Sequence, residues 1–542
     1  EWLRTNDLLE SEEETVQNVG TSDRYGDVIE AIPMTQWWLD MNKVIPSRGK
    51  TLRDLMREAV TTGLNGDAAQ KVTITPDRFT KLYLDRVENL RDWCLSRQLW
   101  WGHRIPAWYR DEEIFVGKEA PAGEGWVQDE DTLDTWFSSG TWTFSTLGWP
   151  EKTPDLKTYH PTSWITMGYE ILYLWLMRMI LTSAYALEEI PFTNAYIHGI
   201  LRDKDGKKFS KSSGNGIDPI EVIGQYGCDS LRVSLLSGIS PGNDSRYYTE
   251  KIEGSRNLVN KLWNVSRFID MSTGGLRHIE KQPDPETLAD YWIFERFSEV
   301  AGKVGYLMER YDFSLAAETL REFTWSDFAD WYLEIAKVEK GKEEMLNYIL
   351  ERLLILWHPF MPFVTEEIYR RFNSGLIMVA RWPDVTTNLS QENLDLFESL
   401  RGVVTAIRNL RSQYKIDPKR QIDVNIVGGE GLAQQKAALE GLTRSTLEWV
   451  DAKPDQSVSA VVGSIAIHVP LAGIVDVAKE SERLQKEFET TKKYVGSVMG
   501  KLANADFVAN APAAVVETEK AKLAEAEAKL KALEEQLSAL KG

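Results

Sequence analysis

The sequence predicts a multidomain α/β protein with a large all-α part, and three observations carry that reading. Two β-prone runs, TSWITM at Thr162–Met167 and NAYIHGIL at Asn194–Leu201, flank a helical stretch that starts near Gly168. Strand, helix, strand over that length is a βαβ unit, which implies a parallel sheet. After about residue 245 apolar residues recur at helical spacing, with Leu346, Ile349, Leu350, Leu353, Leu354 and Trp357 on one helix and Phe328, Trp331, Tyr332 and Ile335 on another. The end of the chain repeats in heptads.

Taken in order, the first 60 or so residues mix short apolar runs with charge and define no element. The opening EWLRTNDLLESEEE reads as the middle of a longer chain, so a fragment is expected. Residues 110–135 are acidic and contain glycine, which reads as a surface connection. The apolar run from Ile171 to Leu187 contains Arg178 and ends in two glutamates, so it reads as a buried helix, not a membrane span. Pro359 stops the helix that ends near Trp357. Between about 420 and 471, QIDVNIV and SIAIHVPL flank a short helix and suggest a small α/β module. In the final segment Ile474, Phe488, Val495 and Leu502 share one heptad position and Val477, Leu484, Thr491 and Val498 the other, with Ser481 the exception. After a break around Pro512, Val516, Leu523, Leu530 and Leu537 repeat with Ala526, Leu533 and Leu540. Two heptad helices joined by a turn make an antiparallel hairpin.

Gross composition narrows the function. A chain of 542 residues suits three or four domains. A formal charge of −19 excludes a uniformly basic nucleic-acid binder, so any such contact needs local basic patches. Cys94 and Cys228 are far apart and share no metal spacing, which argues against a disulfide scaffold and for a reducing, cytoplasmic compartment. No zinc motif is present, no secretory signal is read and no membrane partner is expected.

The most informative stretch is DGKKFSKSSGN, Asp205–Asn215. A parallel sheet binds ligands beyond the carboxyl ends of its strands. The two β-prone runs end at Gly168 and at His198–Gly199, and the lysine loop follows His198 by ten residues. Alone, such a turn is a solvated surface feature. After a βαβ unit and a His-Gly pair it reads as a phosphate-holding loop, in which Lys208 and Lys211 neutralise charge developing on a transferring phosphoryl group.

These residues carry a resemblance. KFSKS, Lys208–Ser212, resembles the second signature of class I aminoacyl-tRNA synthetases, Lys-Met-Ser-Lys-Ser, with Phe209 in place of methionine. DWCLSRQLWWGHRIPAWY (Asp92–Tyr109), DTWFSSGTWTFSTLGWP (Asp134–Pro150) and GNDSRYYTEKIEGSRNLVNKLWN (Gly242–Asn264) resemble segments of valyl-tRNA synthetases. HPFMPFVTEEIY (His358–Tyr369) is similar to their helical anticodon-binding domain, and the terminal hairpin to the coiled-coil arm of the bacterial enzymes. The resemblance covers nearly the whole chain in order.

The chain also departs from that family. The first signature, His-Ile-Gly-His, is absent, as is most of the editing domain and any zinc-binding cysteine after Tyr109. Where many relatives carry Asp after Gly-Tyr, this chain has Glu170. The expected content is therefore a carboxyl-terminal part of a synthetase. Its segments would be an editing-domain exit at 1–45, the second half of a Rossmann-like catalytic domain at 46–245, and a helical anticodon-binding domain at 246–415. A small α/β module at 416–470 and a coiled-coil tRNA-binding arm at 471–542 would follow.

The resemblance implies ATP-dependent activation of valine and transfer to tRNA-Val by a monomer, with Mg²⁺ accompanying ATP. His198, Gly199, Lys208, Ser210, Lys211 and Ser212 would meet ATP, with Lys208 and Lys211 catalytic. Trp136, Glu170, Ile171 and Trp175 would form the amino-acid pocket, although Trp136, Ile171 and Trp175 read equally as core by periodicity alone. Lys486, Lys492, Lys493 and Lys501 would meet tRNA phosphates, where charge alone reads as an ordinary solvated helix face. Trp100, Trp101 and His103 read as packing. A non-catalytic tRNA-binding fragment and an isoleucyl relative are the alternatives.

Overall fold

The computed structural model describes residues 1–16, 18–22, 25–209, 214–373, 375–385, 390–455, 457–470, 477–503 and 513–541. The chain divides into two compact units, Glu1–Gly199 and Ile200–Gly542.

The first unit is built on a three-stranded parallel sheet of β1 (Thr73–Thr75), β2 (Thr162–Gly168) and β3 (Phe192–His198), in the order β1-β3-β2. Phe192 pairs with Thr162 and His198 with Gly168, so β2 and β3 end together. Alternation sets the face that is buried: Ile165 and Met167 on β2 and Ala195 and Ile197 on β3 share it, while Phe192 is buried at the start of β3 on the opposite face. The expected βαβ unit is present. Its crossover begins as a tight turn at Tyr169–Ile171, continues as a π-helical stretch at Leu172–Leu176, and becomes α2 (Met177–Ala186). Met177, Met179, Ile180, Leu181 and Ala184 are buried, as the apolar run requires. β1 spans only three residues, too few for an alternation to show in sequence. Helix α1 (Thr135–Ser145) precedes β2 and packs on α2, and Gly140 makes that approach possible: a Cβ there would lie 3.3 Å from the Arg178 main chain.

Residues 110–135, expected as a surface connection, instead contain strands. Ala107–Arg110, Glu113–Val116 and Val127–Gln128 form an antiparallel sheet, with Arg110 opposite Glu113. Asp111 adopts a positive φ of 52° in the intervening two-residue turn, the conformation that Asp tolerates and such turns require. Every residue of Glu113–Val116 is exposed, so burial left no apolar alternation to read.

The second unit holds a helical body. Helix α3 (Leu288–Glu309) begins at a capping box between Thr287 and Asp290. Trp292, Phe294 and Phe297 of α3 share a core with Leu350, Leu353 and Trp357 of α4 (Glu343–Trp357) and Val403, Val404 and Ile407 of α5 (Gln391–Gln413). Asp290 is buried and accepts from Lys342 Nζ at 2.8 Å and Tyr332 Oη at 2.6 Å, while Lys342 also pairs with Glu339 at 2.7 Å. The expected two-strand module is larger than the sequence suggested. It is a four-stranded sheet of β4 (Ile422–Val427), β5 (Ser445–Trp449), β6 (Ser457–Val462) and β7 (Ile465–Pro470), ordered β5-β4-β7-β6. Helix α6 (Lys436–Thr443) crosses between the parallel pair β4 and β5.

Two long helices, α7 (Val477–Ala503) and α8 (Ala513–Lys541), pack together. Glu487 meets Lys529 at 3.0 Å and Lys501 approaches Glu519 at 3.9 Å, an order of partners that makes the pair antiparallel. Thr491, Val495, Val498, Val516, Ala526, Leu533 and Leu537 are buried, all from the expected heptad positions. Phe488, Leu533 and Leu537 join the core of the helical body. No helix among the described residues is long and apolar enough to cross a membrane.

Replacing Lys342 with Met leaves the buried Asp290 carboxylate without its cation, which costs roughly 3–5 kcal/mol. Equilibrium urea unfolding should show that loss in a Lys342→Met variant; an unchanged midpoint would mean the pair contributes nothing net.

Candidate functional site

In the first unit the candidate residues gather beyond the paired ends of β2 and β3. His198 is exposed at the end of β3, with Nδ1 2.7 Å from the Gly199 carbonyl oxygen. Directly after β2 come Glu170 and Ile171, both half-buried, and Trp175 lies one helical turn further on. Ile171, Trp175 and Trp136 all pack on the rim of the same hydrophobic core, neither sealed within it nor free of it. Trp175 Nε1 donates to the Ser139 carbonyl at 3.1 Å, and its ring lies 6.3 Å from that of Trp142, so its plane is fixed by α1.

What sets Trp136 is a residue to which the sequence reading gave no role. Asp134 is buried at the amino end of α1 and caps it, accepting from the Trp136 backbone N–H at 3.3 Å. Its other oxygen accepts from Trp93 Nε1 at 2.9 Å and Arg97 Nη2 at 2.5 Å. Arg178 of α2 stacks over the Trp93 ring at 3.8 Å. Burial pushes the Arg178 pKa down to about 10, with the Asp134 charge opposing that shift. One carboxylate thus ties three segments together. The available signal was an Asp immediately before a helix start, an N-cap position.

Trp100 and Trp101, expected as packing, are fully exposed. Their loop is closed behind them, where Leu133 N donates to the His103 carbonyl at 2.7 Å and Ser96–Arg97 pairs with Thr132–Leu133. That closure fixes the backbone and leaves both indoles outside.

The second unit carries the lysine loop. Leu201–Arg202 pairs in parallel with Ser245–Arg246, and Asp244 ties the strand down by accepting from Ile200 N at 2.8 Å and Arg202 Nε at 2.5 Å. Asp203 organises the turn: Oδ1 accepts from Asp205 N at 3.0 Å and Lys207 N at 2.7 Å, and Oδ2 from Asn215 Nδ2 at 2.9 Å. Those hydrogen bonds, the Asn215 side chain first, hold the Asp203 carboxyl below its ordinary pKa. Asn215 Nδ2 also donates to the Lys208 carbonyl at 3.2 Å, so one amide clasps both ends of the loop. Gly206 takes a φ of 83°, which the turn requires. Lys208 is exposed. Ser210, Lys211 and Ser212 lie outside the described residues.

On α7, Lys486, Lys492, Lys493 and Lys501 are all exposed. Lys492 Nζ is 5.8 Å from the Phe488 ring centre. Among the described residues no group of His, Cys, Asp or Glu could hold a metal ion.

The family model for tRNA synthetases class I (I, L, M and V) matches residues 15–122 and 119–247. That for the anticodon-binding domain of tRNA ligase matches 290–426, and that for the valyl tRNA synthetase tRNA binding arm matches 476–541. The chain belongs to the class I aminoacyl-tRNA synthetases, and its parallel sheet is part of their Rossmann-like catalytic fold. Within that class its relatives are valine–tRNA ligases. Those of Geobacillus kaustophilus and Bacillus subtilis are 41% and 39% identical over 99% and 98% of this chain. The chain spans 62% of the length of each. Among solved structures, a Mycobacterium tuberculosis methionyl-tRNA synthetase in complex with methionyl-adenylate is 19% identical, with a TM-score of 0.49 over 66% of this chain and 67% of that one.

Asp134→Ala removes a helix cap, worth about 1 kcal/mol, and unpairs the Trp93 indole and Arg97, at about 1–3 kcal/mol more. Amides of Thr135–Ser145 should therefore exchange hydrogen roughly a hundredfold faster. Wild-type exchange in that helix would show that Asp134 does not hold it.

Proposed function

We propose that the protein is a valine–tRNA ligase: it joins valine to ATP as valyl-adenylate, releases pyrophosphate, and passes the valyl group to tRNA-Val. The observation that carries this reading is the shared end of β2 and β3, where Gly168 pairs with His198 and Glu170, Ile171 and Trp175 follow at once. A parallel sheet offers its ligand site there. On this reading Ile171, Trp175 and Trp136 give valine a small apolar wall, and Glu170 offers a carboxylate to its ammonium group. His198 and Gly199 meet the nucleotide.

In the first step a valine carboxylate oxygen attacks the α-phosphorus of ATP, and the bond to the bridging oxygen breaks as pyrophosphate departs. Negative charge grows on the leaving phosphates. Lys208 and Lys211 stabilise it, with Ser210 and Ser212 adding hydrogen bonds. The clasped base made by Asp203 and Asn215 supports this role, because it fixes the footing of the turn that presents Lys208. In the second step a hydroxyl of the tRNA terminal ribose attacks the acyl carbonyl and AMP leaves. Mg²⁺ fits as an ion carried on the triphosphate, whose oxygens supply its ligands in place of a protein cage.

The domain division follows: catalytic residues at 46–245 after an editing-domain exit at 1–45, anticodon-binding helices at 246–415, an α/β module at 416–470, and a coiled-coil arm at 471–542. Lys486, Lys492, Lys493 and Lys501 of the arm meet tRNA phosphates, which positions the tRNA without reading its sequence. The enzyme acts as a cytoplasmic monomer.

Lys211→Ala, measured by valine-dependent ATP–pyrophosphate exchange in the protein at its full encoded length, should slow adenylate formation about a hundredfold, or roughly 3 kcal/mol, with valine binding nearly unchanged. An unaltered rate would return the loop to a solvated turn. For the arm, the double variant Lys492→Gln/Lys493→Gln should reduce the dependence of tRNA affinity on log salt by about 1.5–2. Identical salt slopes would remove the arm from the tRNA interface.

A further inference from the structure

The second unit contains a cleft of about 660 Å³ that neither the catalytic residues nor the arm uses. It lies where the carboxyl ends of α5 and α6 meet, beside the helix segment Leu333–Ala336. Lys337, Arg408, Arg411 and Arg444 line it against a single carboxylate, Glu334. In a chain of formal charge −19 that is a local reversal of sign.

Part of this charge serves the fold. Arg411 is buried, and its guanidinium donates to the carbonyls of Thr443 and Arg444 at 3.2 Å, Asp417 at 2.8 Å and Arg420 at 2.5 Å. Arg408 Nη2 donates to the Leu442 carbonyl at 3.0 Å. Cations belong at the carboxyl end of a helix, and these two cap α6. Capping does not neutralise them, however. Lys337 pairs with Glu334, whereas Arg408, Arg411 and Arg444 make no ion pair among the described residues. Burial lowers the Arg411 pKa, and the Arg444 charge lowers it further against the opposing charge of Asp417, so the two guanidinium groups repel across the cleft.

Arg444 supplies an independent observation. It follows α6 in the left-handed conformation, φ 49° and ψ 51°, where a helix ordinarily ends in glycine or asparagine. A side chain with a Cβ is disfavoured there by about 1 kcal/mol. The fold therefore keeps a guanidinium where glycine would suit the backbone better, and it leaves that side chain exposed at the cleft mouth. Arg408, also exposed, is steadied over the Trp331 ring at 5.7 Å. Gly441 keeps the cleft narrow, since a Cβ there would lie 2.5 Å from Val338.

We propose that this cleft binds a phosphate group between Arg408 and Arg444, and that its source is a backbone phosphate of tRNA. Guanidinium groups bind phosphate oxygens in pairs, and an anion here relieves the repulsion with Arg411. The choice of source rests on the tRNA-binding reading above; the phosphate chemistry does not.

Arg444→Gly tests it without endangering the fold, because glycine suits the left-handed backbone and should leave the melting temperature unchanged or higher. The chain, Arg444→Gly and Arg408→Gln are each titrated with cognate and non-cognate tRNA across salt, and separately with inorganic pyrophosphate by calorimetry. Each variant should weaken both tRNAs alike, about fivefold at low salt, and lower the salt slope by about 1. The unaltered chain should bind pyrophosphate at one site more than either variant, because the lysine loop with Lys208 and Lys211 is unchanged in all three. Loss of that one site with tRNA affinity intact would uphold the phosphate site and overturn tRNA as its source. Variants that bind both probes like the unaltered chain would overturn the proposal. A chain that binds no tRNA at all would sink the tRNA reading, and the pyrophosphate titration would still report on the cleft.

Discussion

The register between β2 and β3 is the constraint on which the first unit depends. Because side chains alternate along a strand, sliding β3 by one residue would turn Ala195 and Ile197 out of the face they share with Ile165 and Met167 and drive Asn194 and Tyr196 into it. The buried face therefore locks the register, and the register makes Gly168 and His198 end side by side. Everything proposed for valine and the nucleotide in this unit follows from that shared end. The chain must leave β2 at Gly168 and turn at once, which brings Glu170 and Ile171 to the rim before α2 begins.

Around that frame, carboxylates act as organisers of backbone and neighbouring side chains. Asp134 caps α1 and ties Trp93 and Arg97 to it. Asp203 and Asp244 do equivalent work for the lysine loop and the strand leading into it. Asp290 ties three segments of the helical body through Lys342 and Tyr332. On the function proposed above, an acidic chain serves a polyanionic partner. Part of its negative charge is taken up internally, and exposed cations stand on α7 and, on that proposal, at the end of α6.

Much of this was legible in the sequence, and the reason differs by element. The βαβ unit and the paired helices at the end were visible because burial imposes a period on them, 2 in strands and 3.5 in the heptads. The strands within 107–128 and β5 and β6 were not. The first lie on the surface with little buried alternation, and the others are short strands whose pairing depends on distant partners. Candidate residues followed motif order, which exposes types and spacing and nothing about support. Hence the motif singled out Trp136 and not Asp134, which holds it. Trp100 and Trp101 were misread because tryptophan is usually buried, and only the closed loop behind them shows why these two are outside.

The central claim is that the rim formed by Trp136, Ile171 and Trp175 is cut to valine. Its most direct test is ATP–pyrophosphate exchange by the protein at its full encoded length, comparing valine with isoleucine under identical conditions. A closed apolar wall discriminates one methylene by roughly 10–200-fold. The account predicts a kcat/KM for valine at least about tenfold above that for isoleucine; equal values, or a preference for isoleucine, would contradict it.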